Sequence, residues 1–259
     1  MRALNLTLLL LVLSACGGGG SVTAPVNPPP VDADPGGFWL GTVTYDDETS
    51  EELIAITTST GRFTLISVDS FGPDTVGQYI GTLMVDGNNV TGTGSAYAPA
   101  GATWDDGSSV MDISINAVID EQATMSGTWS ADSGDAGSFE LEYDSEYERD
   151  SSLSIIDGVW YVYDDTLNAE LTLTVETGGA FAGQGNNGCQ STGLVSIIDA
   201  AFNVYGWDVT ISNCPIAGDY TGFAVLGDID TGDPATSQNN VALVSISNDQ
   251  RALMLPLER

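Results

Sequence analysis

The sequence predicts an all-β protein: two tandem antiparallel β-meander domains, folded as small barrels, with β-sandwiches as the alternative. Three observations predict it. Apolar and polar residues alternate along short runs, turn sequences separate the runs, and the second half of the chain repeats the motif order of the first.

The alternation is clearest at Met111, Ile113, Ile115, Ala117 and Ile119, at Phe139, Leu141 and Tyr143, and at Leu171, Leu173 and Val175. A period of two turns one face of a strand to a core and the other to water. Between the runs stand Asp86-Gly87-Asn88-Asn89, Asp105-Asp106-Gly107 and Thr177-Gly178-Gly179, all turn formers. No stretch combines a helical apolar period with helix caps.

The repeat starts at Gly37-Phe38-Trp39, matched by Gly158-Val159-Trp160. An Asp-Asp pair follows each (Asp46-Asp47, Asp164-Asp165), then a glycine turn before a phenylalanine (Gly61 and Phe63, Gly178 and Phe181). Gln78-Tyr79-Ile80-Gly81-Thr82-Leu83 is matched by Gln190-Ser191-Thr192-Gly193-Leu194-Val195, and Ser126-Gly127 by Thr221-Gly222. Both halves end in Glu-Arg, at Glu148-Arg149 and Glu258-Arg259. The domains are therefore expected at 37–149 and 158–259.

Gly-x-Trp at the head of a β-meander resembles the start of a calycin barrel of the lipocalin kind. That resemblance implies a tryptophan closing each barrel floor (Trp39, Trp160) with a late basic residue across it: Arg149 in the first copy, Arg259 in the second, with Arg251 as its rival.

The N-terminus has its own character. Arg2 precedes an apolar run from Leu8 to Leu13, too short to span a bilayer and matching a secretory signal over 1–15. Leu13-Ser14-Ala15-Cys16 resembles the lipobox of bacterial lipoproteins. The resemblance implies cleavage before Cys16, acylation of that cysteine and attachment to a lipid bilayer. Gly17 stands where an aspartate usually marks inner-membrane retention, which implies the outer membrane. Gly17 to Gly36 reads as a tether of flexible glycines and stiff prolines, reaching about 25 Å. Tandem β-barrels on such a tether are also similar to the transferrin-binding type of surface lipoprotein.

Composition limits the chemistry. The chain carries 36 acidic residues against 5 basic ones, a net charge of −31. Such a chain repels nucleic acid. Histidine and lysine are absent, which removes a Ser-His-Asp triad, histidine metal sites, a Schiff-base lysine and a Walker loop. A carboxylate-pair hydrolase stays open as a minor alternative; the expectation is a protein without catalysis.

With Cys16 lipidated, Cys189 and Cys214 remain, and an oxidising compartment favours their disulfide. No cofactor is expected. Calcium is the one metal candidate, on Asp228, Asp230 and Asp233 within Gly227-Asp228-Ile229-Asp230-Thr231-Gly232-Asp233, where acids alternate around a glycine; solvated acidic turns are the competing reading. Trp104, in an extra glycine-rich segment of the first copy, is a candidate ligand-facing residue, whereas Trp207 is assigned to a barrel wall or core. The leading expectation is a non-catalytic binding or interaction module of the cell envelope, with a small ligand or an envelope protein as partner. The alternative is a structural or assembly-accessory protein with calcium-supported loops.

Overall fold

The computed structural model describes residues 31–68, 75–99, 102–104, 106–164, 169–233 and 237–259. The expected signal segment, Cys16 and the first part of the tether lie outside the described residues, as do Asp105 and Asp165 of the expected turns.

Residues 32–259 form one compact unit, and its sixteen strands close into two barrels, which excludes the sandwich alternative. The first barrel comprises β1 (Gly37–Tyr45), β2 (Ser50–Thr57), β3 (Arg62–Val68), β4 (Thr75–Asp86), β5 (Asn89–Tyr97), β6 (Val110–Asp120), β7 (Thr124–Ala131) and β8 (Ala136–Asp144). The second comprises β9 (Gly158–Asp164), β10 (Ala169–Val175), β11 (Ala180–Gly185), β12 (Gln190–Ile197), β13 (Tyr205–Ser212), β14 (Gly218–Gly227), β15 (Val241–Ser247) and β16 (Ala252–Glu258). Between them run a 3₁₀ turn (Ser145–Glu148) and one short helix, α1 (Leu153–Ile156).

Each strand pairs antiparallel with its sequence neighbour, as a meander requires. The closures differ. β1 and β8 pair all the way from Phe38↔Asp144 to Tyr45↔Gly137. Among the described residues, β9 and β16 meet only at Glu258↔Tyr161.

The alternation places the core inside each barrel. On β6, Met111, Ile113, Ile115 and Ile119 are buried, while Asp112, Ser114 and Asn116 face water. An apolar inside and a polar outside is the reverse of a membrane-spanning barrel.

The repeat is physical at one position in particular. Phe63 pairs with Gly81, and Phe181 with Gly193. A Cβ at Gly81 would lie 2.9 Å from Phe63 Cζ, and one at Gly193 2.6 Å from Phe181 Cζ. Each phenylalanine lies across the neighbouring strand, and only glycine leaves it room. One expected match fails: Gly127 lies on the seventh strand of its barrel and Gly222 on the sixth.

The barrels join through outward-facing side chains. Ile56, Tyr147, Val204, Phe223 and Val225 form a separate buried cluster. Arg62 stacks on Phe223 at 4.5 Å, and Tyr147 on Phe202 at 4.9 Å. At the centre, Gln78 Nε2 donates to Ser245 Oγ (2.9 Å), which also bonds the Thr64 hydroxyl (2.7 Å). The sequence signals for this contact were Ile54-Ala55-Ile56 on β2 and Phe223-Ala224-Val225-Leu226 on β14, where apolar residues stop alternating.

Cys189 and Cys214 are joined by a disulfide, with Cα atoms 5.0 Å apart. It ties the β11–β12 turn to the β13–β14 turn. We predict that Cys189→Ser/Cys214→Ser lowers the unfolding free energy by about 3 kcal/mol through the unfolded chain, measured by urea melts.

Candidate functional site

The two barrel floors are built on the expected tryptophans. Trp39 and Trp160 are both fully buried. In the second barrel, Arg259 lies over the Trp160 ring at 4.6 Å, and its Nη1 donates to Ile155 O (2.8 Å). Trp160 Nε1 donates to Ile156 O (2.8 Å), so α1 plugs this end. Arg251 is elsewhere, with Nη1 3.5 Å from Pro215 O.

The first floor corrects the expectation for Arg149. The residue across Trp39 is Tyr143, edge-on at 5.2 Å, and the Trp39 Nε1 donates to Thr57 Oγ1 (2.9 Å). Arg149 instead binds Asp228 and Glu146, at 2.9 and 2.8 Å. The reason is local: Arg259 follows β16 directly, but the 3₁₀ turn intervenes between β8 and Arg149. The guanidinium is thereby carried off the floor towards the second barrel.

The interiors differ more than the floors. Beneath its rim, the first interior holds a void of about 20 Å³ among Val43, Leu53, Leu65, Ile113, Ile115 and Phe139. The second opens into an apolar cavity that, with its part outside the β9–β16 seam, measures about 580 Å³. Aligned on their Phe–Gly pairs, the repeats differ at several inward positions, among them Val209 and Ile211 where the first barrel has Gly94 and Ala96. Leu65 pairs with Tyr79 in the first barrel, and Gly183 with Ser191 at the equivalent place in the second. Two large inward side chains have become a glycine and a serine, while Trp207 stands where the first barrel has Gly92.

Leu171, Leu173, Phe181, Val209, Ile211 and Leu255 wall the cavity. Phe181 and Trp207 form one corner, their ring centroids 5.0 Å apart. Both faces of β16 contribute, Leu253 and Leu255 from inside and Ala252 and Met254 from outside. The cavity thus extends past the short β9–β16 seam. Tyr97, Ala98 and Pro99 of the first barrel border its mouth, and Cys189 lies on the rim.

Among the described residues, no basic side chain lines this cavity, and the one acidic lining residue, Glu170, is exposed. Two of its lining side chains carry buried polar atoms without a protein partner: Trp207 Nε1 and Ser191 Oγ. Trp207 is 3% exposed and Ser191 7%. An unpaired buried donor costs about 1–3 kcal/mol unless water or a ligand satisfies it.

The remaining expected site residues are scattered. Trp104 borders a cleft of about 400 Å³ at the open end of the first barrel, with Tyr45, Tyr79 and Trp129. Asp228 is engaged by Arg149 and by the Asn239 N–H (2.8 Å). Burial acts to raise its pKa, but these bonds hold it below the usual carboxylate range. Asp230 Oδ1 accepts from Gly232 N (2.8 Å), and Asp233 lies on the same exposed loop. Among the described residues, no three metal-ligating side chains gather into one group.

Sequence reasoning missed Gly183 and Ser191. The signal was present in the Gln78-Tyr79 and Gln190-Ser191 match, where tyrosine aligns with serine. No family model, curated protein or solved structure matches the chain.

The two arginines should respond differently to truncation. Arg259→Ala, which uncovers Trp160, is expected to cost about 1–2 kcal/mol. Arg149→Ala, which breaks two ion pairs that are about one third exposed, should cost less than about 1 kcal/mol. Chemical denaturation of the two variants decides between these roles.

Proposed function

We propose that the protein is a non-catalytic binding module whose second barrel holds one small, neutral, mostly apolar molecule. The observation that carries this reading is the cavity of about 580 Å³, within the range of about 300–1,000 Å³ common for ligand sites. Eight-stranded barrels are wide enough either to be filled by side chains or to hold one small ligand. In the second barrel, Gly183 and Ser191 put two small residues where the first has Leu65 and Tyr79, and Ser191 borders the cavity.

The lining supports a neutral ligand. An anion in this cavity would meet no basic side chain, and burying an unpaired charge is costly. The mostly aliphatic and aromatic lining favours an apolar body on the ligand.

The test uses the repeat itself. Ser191→Tyr restores the side chain that fills the first barrel. An environment-sensitive apolar dye should bind the full-length chain and be displaced by long-chain alcohols or esters better than by the matching fatty acids. Ser191→Tyr should weaken dye binding by about tenfold or more, equivalent to about 1.4 kcal/mol, with the melting temperature kept. Undiminished dye binding in that variant would refute the proposal.

We also propose that the module is held at the outer membrane by acylated Cys16, on the strength of Leu13-Ser14-Ala15-Cys16 and the tether after it. Several acyl chains on one residue would anchor it firmly, since each buried CH₂ contributes about 0.8 kcal/mol. Labelled palmitate should enter the wild-type chain in bacteria and not Cys16→Ser; equal labelling of both excludes this anchor.

A further inference from the structure

We propose that the open end of the first barrel is a second binding site, independent of the apolar cavity, for a compact organic ammonium ion. The cleft there, of about 400 Å³, is bordered by four aromatic residues and three aspartates.

The aromatic walls come from different elements. Tyr45 ends β1, Tyr79 lies on β4 and Trp129 on β7. Tyr45 stands nearly perpendicular to Trp129, with centroids 5.7 Å apart and an interplanar angle of 86°. Tyr79 lies 6.3 Å from the same ring at 49°. Trp104 closes the group from the loop after β5, where its N–H donates to Ser108 O (2.8 Å) and Nε1 lies 3.4 Å from Ala96 O. Tyr45 and Tyr79 both pack on Trp129, and this aromatic group borders the cleft, where π surface attracts a cation too large and too weakly hydrated to need oxygen ligands.

The rim adds formal charge of the same sense. Asp46 and Asp47 lie on the β1–β2 turn and Asp135 on the β7–β8 turn. Asp46 N donates to Ala136 O (3.2 Å), which draws the two turns together. Just outside, Glu51 Oε2 accepts from the Tyr45 hydroxyl (2.7 Å). Burial raises the pKa of both tyrosines, so they present neutral phenols and the charge resides on the carboxylates.

No arginine among the described residues neutralises this mouth. Arg62 lies on Phe223, Arg149 binds Asp228 and Glu146, Arg251 reaches Pro215 and Arg259 covers Trp160. In a chain of net charge −31, the strong negative potential at this cleft stays uncompensated and draws cations to it.

The same geometry selects the kind of cation. Calcium takes six to eight oxygen ligands, whereas no three ligating side chains converge here or anywhere else among the described residues, and the ring faces offer none. The void beneath Tyr79 and Trp129 measures about 20 Å³, too little for a long acyl chain. A compact ammonium group fits, with any longer substituent directed to solvent.

Isothermal titration of the full-length chain with choline, with its uncharged carbon analogue 3,3-dimethylbutan-1-ol, and with calcium chloride tests this directly. Choline should bind, and the neutral analogue about tenfold or more weaker, since only the charge differs. Trp104→Leu and Asp135→Asn should each weaken choline several-fold. Both positions lie on loops at the mouth, so the melting temperature should hold, and dye binding in the second barrel should be unchanged. Absence of choline binding, equal binding of the neutral analogue, or calcium occupying the site and excluding choline would each overturn the proposal.

Discussion

An eight-stranded barrel fixes its interior before any side chain is chosen. Strand number and stagger set the diameter, so the residues facing inward must either fill a given volume or leave part of it empty. Both halves of this chain accept the same backbone frame, with a buried tryptophan at the floor and a phenylalanine lying over a glycine on the next strand. They then diverge at several inward positions. Leu65 and Tyr79 of the first barrel become Gly183 and Ser191 in the second, Ile115 becomes Gly222, and Gly92, Gly94 and Ala96 become Trp207, Val209 and Ile211. The repeat supplies the scaffold, and this redistribution of bulk accompanies the cavity of the second barrel.

The joining of the barrels is a second consequence of the frame. A strand in a small barrel is wet on its outer face unless something covers it, and here the barrels cover each other. Ile56, Phe223 and Val225 are outward residues that became core, and Ser245 satisfies Thr64 and Gln78 across the contact. The contact also brings Tyr97, Ala98 and Pro99 of the first barrel to the mouth of the second barrel's cavity. The first barrel thus borders the cavity of the second, although each closes on its own strands.

Charge is distributed with similar economy. Four arginines lie among the described residues, and three of them are placed at junctions: Arg62 and Arg149 between the barrels, Arg259 on a floor. Cations are therefore spent on holding the fold, and the open ends are left acidic or apolar. That partition is why one open end suits a neutral molecule and the other a positively charged one.

The sequence by itself determined the strand class, the two-fold repeat, the floor tryptophans and the cysteine pair. The strand class and the repeat rest on alternation of period two and the recurrent Gly-x-Trp, the floor role of the tryptophans on the resemblance to a calycin barrel, and the cysteine pair on the expectation that Cys16 is set apart by acylation. Much of the cavity was legible too, because Tyr79 and Ser191 align within the repeat, but the consequence of that substitution needs the cross-strand register that places Ser191 beside Gly183. Only the tertiary structure decided where Arg149 goes, since a 3₁₀ turn of a few residues redirects a side chain that sequence order placed on the floor. Only it could gather Tyr45, Tyr79, Trp104 and Trp129 around one cleft, because they lie far apart in the chain and meet through barrel closure. Periodicity reports which way a residue faces; closure alone determines what it faces.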